Sequence, residues 1–218
     1  MAQKLALPLN NCTITAMYKD DSNPAYQHEW DAGGHFGLDM YGSPTTFYAS
    51  GNGTVVGVGG TATTGVGYWV AIKYTNVYRW SMNSSSLTTL PAVIVRYFHL
   101  AAKSSLKVGD SVTIDTVIGK VGKTGALNMG THLHVEADTD INYPLYTPTL
   151  TGAAGGLYAG VRGSGDTTID PCTIFFRKTS APENQTVSYS QSYCDIHGTS
   201  EPYINTAKVN ALSNKTFS

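Results

Sequence analysis

Two histidines stand two residues apart in the segment Gly130-Thr131-His132-Leu133-His134-Val135-Glu136, whose composition favours a β-strand. Residues i and i+2 of a strand face the same side, so His132 and His134 project into one space while Leu133 and Val135 turn into a core. A helix would splay them apart. Such a pair can ligate one metal ion together, or one imidazole can ligate while its neighbour moves protons. The chain offers six histidines, at positions 28, 35, 99, 132, 134 and 197.

A second cluster of chemistry-bearing residues is His35-Phe36-Gly37-Leu38-Asp39, preceded by Gly33-Gly34. Fully extended, His35 and Asp39 would lie roughly 13 Å apart, at about 3.3 Å per residue, too far to share an ion. A bend is therefore expected, with Gly37 supplying backbone angles that a Cβ disfavours. A helix would also bring i and i+4 together, but the glycines argue against it. A neutral imidazole, a carboxylate and a second imidazole form a ligand set typical of catalytic zinc, in which water keeps the fourth position. The expected metal site is His35, Asp39 and His134, holding one Zn2+.

Between these clusters lies Ala92-Val93-Ile94-Val95-Arg96-Tyr97-Phe98-His99-Leu100, β-branched and aromatic enough to read as a strand. Period two puts Val93, Val95, Tyr97 and His99 on one face. His99 falls at the strand's end, where a scaffold presents side chains to a cleft. His99 and His132 are the expected proton-handling pair.

Taken together, these residues resemble the lysostaphin-type zinc endopeptidases, which cut peptide cross-links in bacterial cell walls. That family carries H-x-G-x-D, a strand ending in H-L, and H-L-H-x-E in this order, here His35 to Asp39, Phe98-His99-Leu100 and His132 to Glu136. The stretches Leu106 to Val112 and Ile118 to Gly125 resemble its V-x-x-G-D-x-V and I-G-x-x-G-x-T-G runs. The resemblance covers roughly residues 10 to 178. Thr131 stands where the family commonly has proline, and Asp115 where it commonly has glycine, which bears on turn geometry more than on ligands. Ile169-Asp170-Pro171 looks like the family's closing segment.

The resemblance implies a zinc-dependent endopeptidase that hydrolyses cross-links or stem peptides of bacterial peptidoglycan. It also implies a tyrosine that helps stabilise the transition state, for which Tyr26 is the candidate. Zinc held by two neutral imidazoles and one carboxylate lowers the pKa of bound water towards about 7, and His99 and His132 would move protons or stabilise the oxyanion. Glu136, on the face of His134, is expected to orient that ligand by a hydrogen bond. No H-E-x-x-H helix is present, so the glutamate base of that metalloprotease class has no counterpart. The competing reading is a catalytically silent wall-binding scaffold or a phage-tail structural component; retention of all five site positions argues against the scaffold.

Composition fits this class. Only 13% of the 218 residues are charged, against about 25% in ordinary soluble domains, and Val, Ile, Thr and Tyr runs punctuated by Gly, Asn and Ser indicate a mostly β protein. The expectation is an antiparallel β-sheet or β-sandwich with a long substrate groove walled by loops. Thr75 to Pro91 and Asp138 to Thr168, with their tyrosines Tyr78, Tyr143, Tyr146 and Tyr158, are the expected walls. A net charge of -1 gives no basic footprint for nucleic acid. The amino terminus is too short and too broken by Pro8 to be a secretion signal's apolar core or to insert in a membrane; either the sequence lacks its native leader or the protein leaves without one, and of the two a phage-type lysin or virion-associated protein acting on the wall is the expectation. Residues 1–178 read as the peptidase domain and 179–218 as a polar tail packed on it. Three cysteines, Cys12, Cys172 and Cys194, fit no disulfide framework by themselves; a bridge between the last two is one arrangement, free buried thiols the other. Oligomeric state is not encoded in any readable pattern.

Overall fold

The computed structural model describes residues 1–18, 35–81, 86–126, 130–141, 167–179 and 184–189, and the backbone of 216–217. They form strands β1 (Leu5–Ala6), β2 (Asn11–Ala16), β3 (Leu38–Tyr41), β4 (Thr46–Tyr48), β5 (Gly53–Gly59), β6 (Tyr68–Trp80) and β7 (Leu87–Leu100). After these come β8 (Ser111–Val112), β9 (Val117–Lys120), β10 (Leu133–Asp138), β11 (Thr168–Ile169), β12 (Phe175–Lys178), β13 (Thr186–Tyr189) and β14 (Thr216–Phe217), with a 3-10 turn at Pro171–Thr173. The mostly β class is the one the composition implies.

One nine-stranded sheet dominates, in the order β13-β2-β3-β10-β7-β6-β5-β8 with β11 paired to β10; β1-β12-β14 and β4-β9 make two small sheets. Most pairings are antiparallel, but the strands after Pro171 break the rule. β12 runs parallel to β1 and to β14, and β13 runs parallel to β2. Gln185, buried just before β13, donates from its side-chain amide to the carbonyls of Leu7 and Leu9 and accepts from the Lys178 amide. These bonds stitch the two ends of the described chain together.

Alternation along the central strands sets which face carries chemistry. In β10, Leu133, Val135 and Ala137 turn to the main core with Leu38, Met40 and Val95, all fully buried. Burying each large aliphatic side chain contributes about 1.5–3 kcal/mol, and a slip of one residue would exchange the two faces. His134, Glu136 and Asp138 occupy the opposite face, beside Ile94, Arg96 and Phe98 of β7. Val66, Trp69, Ala71, Ile94 and Phe98 form a second apolar cluster there, so this face is dry as well.

Two expectations about the backbone need correction. Thr75 to Pro91 is not a long loop: β6 and β7 stay paired from Tyr68↔Leu100 to Trp80↔Leu87 and form an extended ribbon. Thr, Val and Tyr residues favour that pairing, and the proline is accommodated because Asn76, across from it, takes a left-handed φ of 51°. Gly37 is required, but not for an unusual backbone angle; a Cβ there would run into the Val135 carbonyl oxygen of β10. Its service is close approach of two backbones. Residues 142–166, which include Tyr143, Tyr146 and Tyr158, and Cys194 lie outside the described residues. Cys12 is buried with its sulfur 3.6 Å from Met40, and burial pushes its thiol up to about 12, so it carries no nucleophilic role.

Gly37→Ala is expected to lower the unfolding free energy by about 2 kcal/mol or more, a fall of about 4–8 °C in the thermal midpoint for a chain of this size. Calorimetry of the metal-free protein measures it, and an unchanged midpoint would show that β3 and β10 are not held at this contact.

Candidate active site

The site grows out of one cross-strand pair. β3 and β10 are antiparallel with Asp39 directly opposite His134, and such opposed residues have Cβ atoms about 4.5–5.5 Å apart. Their side chains therefore meet, Asp39 Oδ1 to His134 Nδ1 at 2.8 Å. On its other side His134 faces Phe98 of β7, whose ring stacks on the imidazole at 5.6 Å between centroids.

His35 enters from the segment before β3. Its Nε2 lies 3.0 Å from His134 Nδ1 and 3.2 Å from Asp39 Oδ1. Three donor atoms thus form a triangle with edges of 2.8, 3.0 and 3.2 Å. A tetrahedron with Zn–N and Zn–O bonds of about 2.0–2.1 Å has edges of about 3.3 Å, so the three are spaced to share a small divalent ion. All three residues are buried.

Four imidazoles converge, and each has one ring nitrogen tied down. Nδ1 of His35 hydrogen-bonds the Met17 carbonyl, Nδ1 of His99 that of Thr124 and Nδ1 of His132 that of Gly130. Each carbonyl can only accept, so each Nδ1 carries a proton, and in the neutral ring it is Nε2 that holds the lone pair. His134 is the reverse: its Nε2 is held by Glu136 Oε1 at 3.3 Å and its Nδ1 faces the triangle. His132 Nε2 is buried without a hydrogen-bond partner, 3.7 Å from Asp39 Oδ1. An orphaned nitrogen of this kind fits a site that takes a further group.

His99 arrives by a route that period two does not give. The sequence pattern placed it on the face of Val93, Val95 and Tyr97, which is the main core. The β6–β7 register shifts between Tyr68 and Val70, so that Phe98 and His99 of β7 together oppose Trp69 of β6, and His99 takes a φ of 63°. This bulge turns it to the face of His134, its ring 4.8 Å from that of His132 and 6.1 Å from that of His134. Bulges re-aim side chains in this way. Thr124 locks the bulge in place: its hydroxyl donates to the Leu100 carbonyl and accepts from the Tyr68 amide, while its carbonyl takes His99. Gly122 pairs with His132 and lies so near the His99 carbonyl and Ala101 backbone that no Cβ fits.

Charge on this face is dense. Asp39, Glu136 and Asp138 are buried together with Arg96, which reaches Glu136 Oε2 at 3.4 Å and Asp138 Oδ2 at 2.9 Å. Three carboxylates against one guanidinium leave two negative charges for a divalent cation to balance. Burial alone would raise Asp39, but the charges of His35 and His132 and the hydrogen bonds from His134 and His35 hold it well below the usual carboxylate range. Burial also opposes the His134 imidazolium, yet hydrogen bonds and charge from Asp39 and Glu136 outweigh it and lift that ring to about 10. His99 goes the other way, pulled down to about 3 by burial and then by His132 and His134.

All five positions singled out by sequence meet on this face, and Glu136 touches His134 as expected. Tyr26, His28 and His197 lie outside the described residues. Arg96, Asp138 and Thr124 were not anticipated. A charged residue inside the apolar run from Val93 to Phe98 was the readable sign of the first.

The model of the family described as Peptidase family M23 matches residues 33–143, just over half of the chain. Among solved structures, a zinc-containing peptidase from Vibrio cholerae is 24% identical over 62% of this chain and 37% of that one, with a TM-score of 0.45. This chain thus spans little more than a third of that protein. A catalytic-domain variant of the prophage-encoded M23 protein EnpA from Enterococcus faecalis is 22% identical over 67% of this chain and 91% of that one, TM-score 0.45. The catalytic domain of the antimicrobial peptidase lysostaphin from Staphylococcus simulans is 22% identical over 65% and 78%, TM-score 0.39. No curated protein sequence matches.

Metal uptake by this site should displace a proton. Below about 10 the metal-free His134 is an imidazolium, and its Nδ1 must lose that proton to ligate; His99, held near 3, contributes none at neutral pH. Zinc binding is expected to release at least the His134 proton, so that apparent affinity rises about tenfold or more per pH unit near neutrality. Titration calorimetry in buffers of different ionisation enthalpy measures this; zero protons released would contradict the charge state.

Proposed function

This chain belongs to peptidase family M23, and from that premise we propose that it is a zinc-dependent endopeptidase cutting peptide bonds of bacterial peptidoglycan, in cross-links or stem peptides. The observation that carries this reading is the convergence of His35, Asp39 and His134 on one ion-sized space with two further imidazoles beside it. In this reading His35 Nε2, Asp39 Oδ1 and His134 Nδ1 hold the metal. When bound, zinc supplies a Lewis acid and water of lowered pKa.

The chain's own residues would do the rest. His99 stays neutral at working pH, and with Nδ1–H fixed on the Thr124 carbonyl it offers a lone pair at Nε2. His132, fixed by Gly130, offers a second from its orphaned Nε2. One Nε2 takes the proton of the attacking water, and the N–H so formed hydrogen-bonds the developing oxyanion and then returns that proton to the departing amine. The Phe98, Trp69 and Val66 cluster beside His134 keeps the floor dry, which strengthens each of these interactions. Among the described residues no helix is long and apolar enough to cross a membrane. A phage-type lysin remains the proposed setting, tested by whether the purified chain lyses cells as well as cleaving isolated walls.

Purified chain is expected to clear a suspension of bacterial walls and to lose that activity with chelator or on His134→Ala. His99→Ala and His132→Ala should each lower the rate about 10²–10⁴-fold while zinc content stays at that of the unaltered chain. Metal-loaded protein that binds walls and leaves them uncut would reject the enzyme and favour a wall-binding scaffold. Mass spectrometry of released fragments identifies the bond.

A further inference from the structure

Arg96 sits in the middle of β7 with no exposed surface. Its side chain leaves the sheet on the face opposite the main core and lies directly across from Glu136 in the β7–β10 register. Nη1 reaches Glu136 Oε2 and Nη2 reaches Asp138 Oδ2. Asp138 is itself held through its other oxygen by the Thr167 hydroxyl and the Asp140 amide. Burying an arginine between two carboxylates rarely adds stability over apolar packing of the same volume, so stability alone does not account for it.

The division of oxygens on Glu136 does. Oε2 belongs to Arg96 and Oε1 to His134 Nε2. A lone carboxylate turns freely about its last bond. A guanidinium already braced on Asp138 removes that freedom, because its planar fork presents donors in fixed directions. Glu136 then receives the His134 Nε2–H, which leaves Nδ1 as the nitrogen aimed at Asp39 and His35.

We propose that Arg96 is a positioning residue for the metal site: through Glu136 it fixes the ring orientation and tautomer of His134, one strand away and without touching the ion. This rests on His134 being a metal ligand. A lysine would keep the charge but could not brace both carboxylates. A glutamine at 136 would keep the shape but has one oxygen, which cannot serve both Arg96 and His134.

The test uses the full chain and four proteins: unaltered, Arg96→Lys, Glu136→Gln and Val95→Ala. The last truncates a side chain on the opposite face of β7 and serves as a control for general destabilisation. Three quantities are read: zinc affinity by competition with a chromophoric chelator, the His134 tautomer by nitrogen NMR of the zinc-loaded protein, and the thermal midpoint of the chelated protein. Arg96→Lys and Glu136→Gln are expected to weaken zinc binding about 10–100-fold and to mix the His134 tautomers. Val95→Ala should lower the midpoint and leave affinity and tautomer unchanged. If both substitutions at 96 and 136 shift only the midpoint, as the control does, the inference is overturned and Arg96 is a structural ion. Should Arg96→Lys not fold, Glu136→Gln decides by the same two readouts. Failure of the unaltered chain to bind zinc would reject the metal reading itself, and this inference with it, in a result distinct from the other.

Discussion

Negative charge buried on one face of a β-sheet is the constraint on which this architecture depends. Asp39, Glu136 and Asp138 are withdrawn from water within two neighbouring strands, and Arg96 answers only part of their charge. An unpaired carboxylate in such surroundings is costly. The imidazoles that crowd around Asp39 offset that cost with protons or by holding a cation. The same demand for positive charge therefore makes the fold tolerable and suits the site to a cation.

The sheet satisfies this demand by precise register combined with two local irregularities. Strict pairing of β3, β10 and β7 puts Asp39, His134 and Phe98 in one row. A shift in the β2–β3 pairing near Ala16 and Asp39 accompanies the approach of Met17 and His35, and the shift at the end of β7 brings His99 to the same place. Regular strands alone would deliver two of the four imidazoles, His132 and His134, and leave the others facing elsewhere. Irregularity here is as much part of the design as alternation.

Much of this was legible in the residues. The two-residue spacing of His132 and His134, within a run alternating with Leu133 and Val135, fixed a common face because strand geometry allows no other. The His35 to Asp39 spacing asked for a bend, and the structure supplies one. What stayed hidden depended on contacts distant in sequence. Parity misplaced His99 because a bulge is decided by pairing with β6 and by Thr124, neither visible in the strand itself. Gly37 was assigned a conformational role because the neighbour it makes room for, Val135, is far along the chain. The stretch from Thr75 to Pro91 read as a long connection between two shorter strands, whereas β6 and β7 stay paired well past Thr75 and Pro91, with Asn76 and Pro91 opposing each other within the ribbon.

The stitch made by Gln185 and β13 bears on how the polypeptide tolerates shortening. His35, Asp39, His99, His132 and His134 all precede Lys178, so a fragment ending there would retain every described donor atom of the candidate site. It would also strip β2 of its outer neighbour and free the carbonyls of Leu7 and Leu9. The bared margin of the sheet is a template for pairing with a second fragment. Self-association is the hazard such a trimmed protein would face.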